Sequence, residues 1–330
     1  MAGALQVTEA DIERITHRLF LSLGDRQRNL TAFWVLLVLA AVIASAGVVA
    51  DSTATVIGAM IVAPLMTPIL GTALAIVLAD RRQLASCLVL VVGASVAVVA
   101  VGFLVGLTIP VEVVAENNSQ VASRVSPKLI DLVAAVATGL VGAFALIRSD
   151  VSDTLPGVAI AISLVPPLAV VGLTLESGAG DQARGALLLF GTNVAAIIAT
   201  GTVLLLVSEL RSTAIRTGAE VGRVGGRSLA AVAASLLLVA VPLGIGSVSV
   251  LRDQQLVSTS QPVVHDWAQA QEWTVTDLTV RNGRLRVEAV GLLPEPDTSS
   301  LRKDLDDAGL GDVAVDVELL LGGQRTLEGG

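Results

Sequence analysis

Tyrosine is absent from this 330-residue chain, and Phe, Trp, Cys and His together number only 11. Charge is scarce as well, at 15% Asp, Glu, Lys and Arg, where a soluble protein carries about 25%. Each shortage excludes something. Cys87 has no second cysteine to pair with and reads as a small hydrophobe inside an apolar stretch. His17 and His265 alone give no zinc-ligand spacing. The lack of a basic stripe excludes a nucleic-acid binder. Too little charge for a soluble enzyme and too much apolar residue for a disordered chain leave one class. What is abundant fits it: 53% apolar residues, 31 Gly and a mean hydropathy of +0.79. The composition is that of an integral membrane protein.

The charge is also segregated. From Arg252 onward there are 7 Lys/Arg against 14 Asp/Glu, whereas the preceding body has 14 against 15. A nearly neutral Ala/Val/Leu/Gly body is followed by an acidic tail of ordinary composition.

A membrane-crossing helix needs about 20 apolar residues. Thr31–Ala50, Leu84–Leu107, Ile130–Ile147, Ala186–Ser208 and Ser228–Gly246 meet that need. Ala54–Leu78 and Thr154–Thr174 are as apolar but hold Gly and Pro in their middles, and counting both gives seven spans. With a cytoplasmic N-terminus, eleven cationic residues fall inside and only Arg124, Lys128 and Arg184 outside. The sequence therefore predicts a multi-pass protein of the plasma (inner) membrane, with its C-terminal domain extracytoplasmic. Ile12, Ile15, Leu19 and Leu23 recur at helical spacing after Thr8, which predicts an amphipathic helix along the inner membrane surface, an anchor or a partner site.

A shift of 99 residues aligns the two interrupted segments. Asp51–Pro68 and Asp150–Pro167 share six of 18 positions: Asp51/Asp150, Thr55/Thr154, Gly58/Gly157, Ile61/Ile160, Leu65/Leu164 and Pro68/Pro167. The same shift carries Arg82–Gly102 onto Asp181–Gly201 with six of 21 identical. The fold class expected is an all-α polytopic bundle of two three-helix repeats plus a final helix. Three crossings per repeat make the repeats inverted, as in many secondary transporters. The divisions are an amphipathic segment 1–30, repeat one 31–109, a loop 110–128, repeat two 129–209, a cytoplasmic loop 210–227, the last span 228–246 and an α/β domain 251–330.

Helix breaks survive in hydrocarbon only against protein or a water-filled cavity. Pro64 and Pro68 should each remove a hydrogen bond from one face, and Pro166-Pro167 should break the counterpart. A solute site is expected there, around Gly58, Pro64, Thr67, Pro68, Gly157, Ser163, Pro166, Pro167 and Asn193. Freed carbonyls suit a cation and half-helix N-termini an anion, while a simple kink is the plainer reading. Asp51 and Asp150 start the broken helices. Capping is the plain use of such residues, and gates or ion ligands the sharper one, with Asp131 the remaining interior acid. Gly139-Leu-Val-Gly142 permits close helix contact, including between protomers of a homo-oligomer.

The tail reads as α-β-β-α-β. A helix opens at Ser260-Gln-Pro262 and runs to Trp273. Strands Thr274–Val280 and Arg284–Val290 are joined at Asn282-Gly283, a helix Asp297–Ala308 ends at Gly309, and the last strand is Asp312–Leu320.

Gly58-Ala-Met-Ile-Val-Ala-Pro-Leu-Met-Thr-Pro-Ile69, following Asp51-Ser, resembles a bacterial and archaeal family of polytopic membrane proteins known as "uncharacterised hydrophobic domain" proteins. The similarity spans roughly Ala32–Glu209, and Val165-Pro-Pro-Leu168 fits it too. The resemblance implies the membrane fold and the emphasis on the broken helices, and it brings no activity. The functional expectation is a secondary transporter or facilitator of a small polar or anionic solute. The alternatives are an ion channel, or a membrane sensor or scaffold whose α/β domain binds a ligand. Its partners are the lipid bilayer and a small-molecule or ion substrate. Neither a cofactor, a metal nor nucleic acid is implied, and the lack of paired acid-base residues argues against an enzyme.

Overall fold

The computed structural model describes residues 7–148, 164–208, 210–216, 252, 255–281 and 284–322. The chain forms two units, 1–243 and 244–330.

The first unit is helical. α1 (Glu9–Leu19) opens with a reciprocal cap, Thr8 Oγ1 accepting from Asp11 N at 3.3 Å and Asp11 Oδ2 accepting from Thr8 N at 3.0 Å. α2 (Arg26–Val49) starts at the Asp25 cap and α5 (Arg81–Gly106) at the Asp80 cap, so both helices begin in polar turns several residues before the apolar runs. Between them lie α3 (Thr53–Val62) and α4 (Met66–Leu78), bent by 49° across the break. α6 (Ser119–Val125) sits in the connection to α7 (Leu129–Ile147). Then follow α8 (Val165–Glu176), α9 (Gly180–Val207) and the short α10 (Leu210–Arg216).

Among the described residues four helices, α2, α5, α7 and α9, are long and apolar enough to cross a membrane, and α3 with α4 makes a fifth if the bent pair is one span. Their outward faces are apolar: Val89, Val92 and Val96 on α5 are 72%, 62% and 64% exposed. An apolar exterior of this kind is what a bilayer covers. The expected last span, 228–246, and the first half of the second broken segment lie outside the described residues.

Several described elements keep the 99-residue spacing. α4 starts at Met66 and α8 at Val165; α5 starts at Arg81 and α9 at Gly180. Both half-helices end in a left-handed residue at equivalent places, Ala79 (φ +55°) and Gly178 (φ +73°). Packing is exchanged as well. A Cβ on Gly102 of α5 would lie 2.7 Å from the Ala169 carbonyl oxygen and 3.3 Å from Gly172 Cα of α8. Gly201 of α9, the equivalent of Gly102, faces Leu70 and Ala73 of α4, the equivalents of Ala169 and Gly172. One turn beyond Gly102, Gly106 meets Glu176, one turn beyond Gly172, so α5 and α8 run parallel.

α1 differs from its surface-lying expectation. Ile12, Ile15 and Leu19 are buried in the bundle's core cluster with Ile69 and Leu70, and α1 packs on α4, α7 and α10. Arg14 donates to the Leu146 carbonyl at the end of α7 (3.1 Å), where the helix dipole favours a cation. Amphipathic periodicity specifies an apolar partner; here that partner is protein.

The second unit is described by itself. A helix over 255–270, α11, starts before the expected Ser260 and carries Pro262 inside it. β1 (Thr274–Arg281) pairs antiparallel with β2 (Arg284–Gly291), with a bulge between Val275 and Asp277. Their connecting pair, Asn282-Gly283, lies outside the described residues. α12 (Thr298–Asp307), capped by Asp297, crosses to β3 (Val315–Leu321), which is parallel to β2 and starts three residues later than expected. Val264, Trp267, Trp273, Leu285, Val287 and Leu301 form its core, and Trp267 Nε1 donates to the Asp297 carbonyl at 3.0 Å.

Candidate functional site

The break between α3 and α4 follows from one residue. Ala63, preceding Pro64, is held extended (φ −69°, ψ 125°), as the proline ring demands of its neighbour. Pro64 also has no N–H to return to the Met60 carbonyl. Ten helical residues place this break about 15 Å along α3. Pro68 does not add a second break, contrary to its sequence reading. It is the third residue of α4, in the first turn, where a missing N–H removes no internal bond. Pro167 holds the same place in α8, behind Pro166.

Neither half-helix receives a side-chain cap. Leu65 occupies the cap position of α4 and Leu164 that of α8. Both leucines are buried in one apolar cluster, at 0% and 3% exposure. Two helix starts thus open inside the protein, each with the positive end of its dipole, although Pro68, Pro166 and Pro167 bring no N–H to them and Thr67 N donates to the Pro64 carbonyl at 3.2 Å. Polar groups are few. Thr67, half-buried at the second position of α4, has a hydroxyl without a partner among the described residues, whereas Thr72 and Thr174 return theirs to Pro68 and Val170 carbonyls at 2.8 and 2.7 Å. On α9, Thr192 and Asn193 are buried. Asn193 lies two turns before Gly201 on the same face, and Gly201 sits on Leu70 and Ala73.

Sequence reasoning missed Thr202, a 2%-exposed hydroxyl in α9 that makes no hydrogen bond. Only its position next to Gly201 could have drawn attention to it. Gly58 is placed apart from the break, on the exposed side of α3, where a Cβ would meet open space. Gly157, Ser163 and Asp150 lie outside the described residues.

The acidic residues act at the ends. Ser52, not Asp51, caps α3. Asp51 (φ +49°) instead accepts from Ser119 Oγ at 2.7 Å and Gln120 N at 3.0 Å, reaching 68 residues along the chain to α6. The Ser119 hydrogen bond holds its carboxyl below the usual range. Asp131 accepts from Lys128 N at 2.8 Å and so serves the first turn of α7. Asn118 caps α6 and donates to the Val48 carbonyl at 2.7 Å; Ser177 Oγ receives Val113 N, and Gln182 Oε1 receives Ala115 N. The connection 109–125 is therefore laced onto one end of the bundle, opposite the end that α1 covers.

No group of three or more His, Cys, Asp or Glu residues suited to a metal occurs among the described residues. Cys87 is buried, with its sulfur against Gly71 of α4.

The break segment is also where similarity to other proteins falls. Residues 60–199 match the family model "Domain of unknown function (DUF389)". That stretch runs from the end of α3 into α9 and holds both proline-bearing starts. The "Uncharacterized protein MJ0678" of Methanocaldococcus jannaschii is 32% identical over 163 residues, 49% of this chain and 50% of that protein. The chain thus spans about half the length of this curated relative. No solved structure matches. The DUF389 match and its archaeal relative agree with the family resemblance read from Gly58–Ile69, an uncharacterised one.

Proposed function

We propose that the chain is a secondary transporter or facilitator of a small polar or anionic solute, bound where the two half-helices begin. The observation that carries this reading is the pair of uncapped starts, Leu65–Met66 and Leu164–Val165, at equivalent positions of two repeats. Uncapped half-helix N-termini at mid-depth are used to bind anionic groups in transporters built from inverted repeats.

Inversion is supported by direction. The two-residue turn Ala79–Asp80 makes α4 and α5 antiparallel, and Ser177–Ala179 does the same for α8 and α9. Since α5 and α8 run parallel, α4 and α8 run opposite ways, as equivalent helices of inverted repeats must. The 49° bend keeps α3 and α4 advancing in one sense, which favours a crossing over a re-entrant hairpin. With 228–246 as the last span, these features fit seven crossings, a cytoplasmic N-terminus and an extracytoplasmic C-terminal domain in the plasma membrane. One repeat rocking against the other then alternates access. The burial of Leu65 and Leu164 at both starts is what an occluded conformation in this scheme would require.

Flux in proteoliposomes tests the site. Thr67→Ala and Ser163→Ala should each lower saturable uptake roughly three- to ten-fold, the value of a lost hydrogen bond, with unchanged membrane insertion. Normal uptake in both variants removes the site, and ohmic conductance in place of saturation makes the protein a channel. Topology has its own check in a Cys87→Ala background. An impermeant thiol reagent on intact cells should label a cysteine at Ser52 and spare one at Ser152; labelling of both overturns inversion.

A further inference from the structure

We propose that Arg124 is a binding site for a small oxyanion, the group by which the protein captures its solute from the side of the bundle that α6 covers. This inference deepens the transport reading and rests on it for the role assigned, though binding is measurable without flux.

Arg14, Arg184, Arg284, Arg286 and Arg302 each hold a carboxylate within 4.0 Å. Arg124 is half-buried, and no carboxylate of the described residues comes that close. Its hydrogen bonds all leave from Nη1: to the Gln120 carbonyl at 2.6 Å, Gln120 Oε1 at 3.1 Å and Ser123 Oγ at 3.0 Å. All three acceptors are neutral and belong to its own helix. Asp131 acts on it only from a distance, and one oxygen of that carboxylate is engaged with Lys128 N. Burial without a counter-charge is costly for a cation, so such groups are ordinarily paired.

Among the described residues nothing engages the Nε–Nη2 edge of the guanidinium. That edge presents two parallel N–H donors at the spacing of a carboxylate, sulfate or phosphate, and it takes them bidentately. Fixing Nη1 to Gln120 orients it in advance.

The site is wired to the broken helix. Gln120 Nε2 donates to Thr53 Oγ1, the first residue of α3, at 2.9 Å, and Gln120 N donates to Asp51. Arg124, Gln120 and the start of α3 form one hydrogen-bonded chain. An anion on Arg124 therefore changes the surroundings of the residues that position α3 and, beyond Pro64, α4.

A lipid headgroup phosphate offers the same chemistry, so the test separates the two sources. The full-length protein in a phosphate-free maltoside detergent is titrated with sodium sulfate, sodium phosphate and sodium acetate by calorimetry, and separately with phosphatidylglycerol. At least one free oxyanion should bind the native protein, at least ten-fold more weakly to Arg124→Gln, and with intermediate affinity to Arg124→Lys, which keeps the charge but not the fork. Absence of binding by all three, or equal affinity in Arg124→Gln, overturns the proposal. Should Arg124→Gln fail to elute as a single species, Arg124→Lys decides, and native affinity there overturns it. Binding of phosphatidylglycerol alone, lost in the variant, also overturns it by making the occupant a lipid. Flux distinguishes the two readings. Arg124-dependent binding without uptake of the bound anion keeps the site and removes transport. Uptake unchanged in Arg124→Gln keeps transport and removes the site.

Discussion

Where α5 crosses α8, backbone lies on backbone: a Cβ on Gly102 or Gly172 would run into main-chain atoms of the other helix, among them Ala169 O and Phe103 N, each at 2.7 Å. Where α9 crosses α4, side chains intervene, and a Cβ on Gly201 would meet Leu70 Cδ2 at 3.3 Å and Ala73 Cβ at 3.5 Å. The two crossings occupy equivalent registers and differ in tightness. Small residues that let backbones touch leave nothing to yield, whereas the end of a leucine can change rotamer. If the repeats move against each other, the α4–α9 crossing is the one able to adapt, and α5 with α8 forms the rigid reference.

The sharpest way to break this comparison is to add one methyl group at each crossing. Gly172→Ala should cost about 1–3 kcal/mol, the ordinary penalty of overpacking, seen as a lower midpoint of thermal unfolding in detergent. Gly201→Ala should stay within about 1 kcal/mol of neutral, because alanine's helix propensity of about 1 kcal/mol offsets a small shift of Leu70. Equal losses in the two variants would mean that both crossings are equally tight.

A smaller effect probes the turns that set the two half-helices antiparallel to their neighbours. Ala79 and Gly178 share a left-handed conformation, yet only the second is glycine. Ala79→Gly should raise stability by about 1 kcal/mol and Gly178→Ala should lower it by about as much, the usual penalty of a Cβ in that region. Gly178 has open space around the added Cβ, so sterics do not confuse the reading. An unchanged unfolding midpoint in both variants would show that these turns are not held as described.

What could be read in advance follows how local each cause is. Pro64 breaks its helix through its own ring and missing N–H, so the break was legible. Pro68 was over-read because a proline's effect depends on where the helix starts, and that start is set by Pro64. Ala79 gave no signal, since alanine is the best helix former and its left-handed turn is imposed by the α4–α5 packing. Gly58 was assigned to the site because an all-apolar helix does not announce which face is inward. The docking of α1 was hidden for the converse reason: Ile15 and Leu19 demand burial and do not name the partner. Asp51 and Arg124 belong to one hydrogen-bonded chain whose members are spread between residues 51 and 124. Only the fold brings those together, which is why Arg124 counted in the sequence merely as one charge on one side.

The smallest effect concerns the tie that restrains the adaptable crossing. Asp51 joins the start of α3 to α6, and α3 continues past Pro64 into α4. Its carboxyl is held below the usual range, chiefly by Ser119, so the ionised form is favoured by folding. The sign follows: this contribution is complete above the ordinary carboxylate pKa and is lost as pH falls through the lower folded value. Asp51→Asn keeps an acceptor oxygen and removes the charge. It should lower the unfolding midpoint slightly at pH 7, and the gap to the native protein should close as pH drops below about 4. A gap that stays constant from pH 7 to pH 3 would mean that the carboxylate is idle. The restraint on α3 would then rest on Asn118 and Gln120, whose hydrogen bonds to Val48 and Thr53 do not titrate.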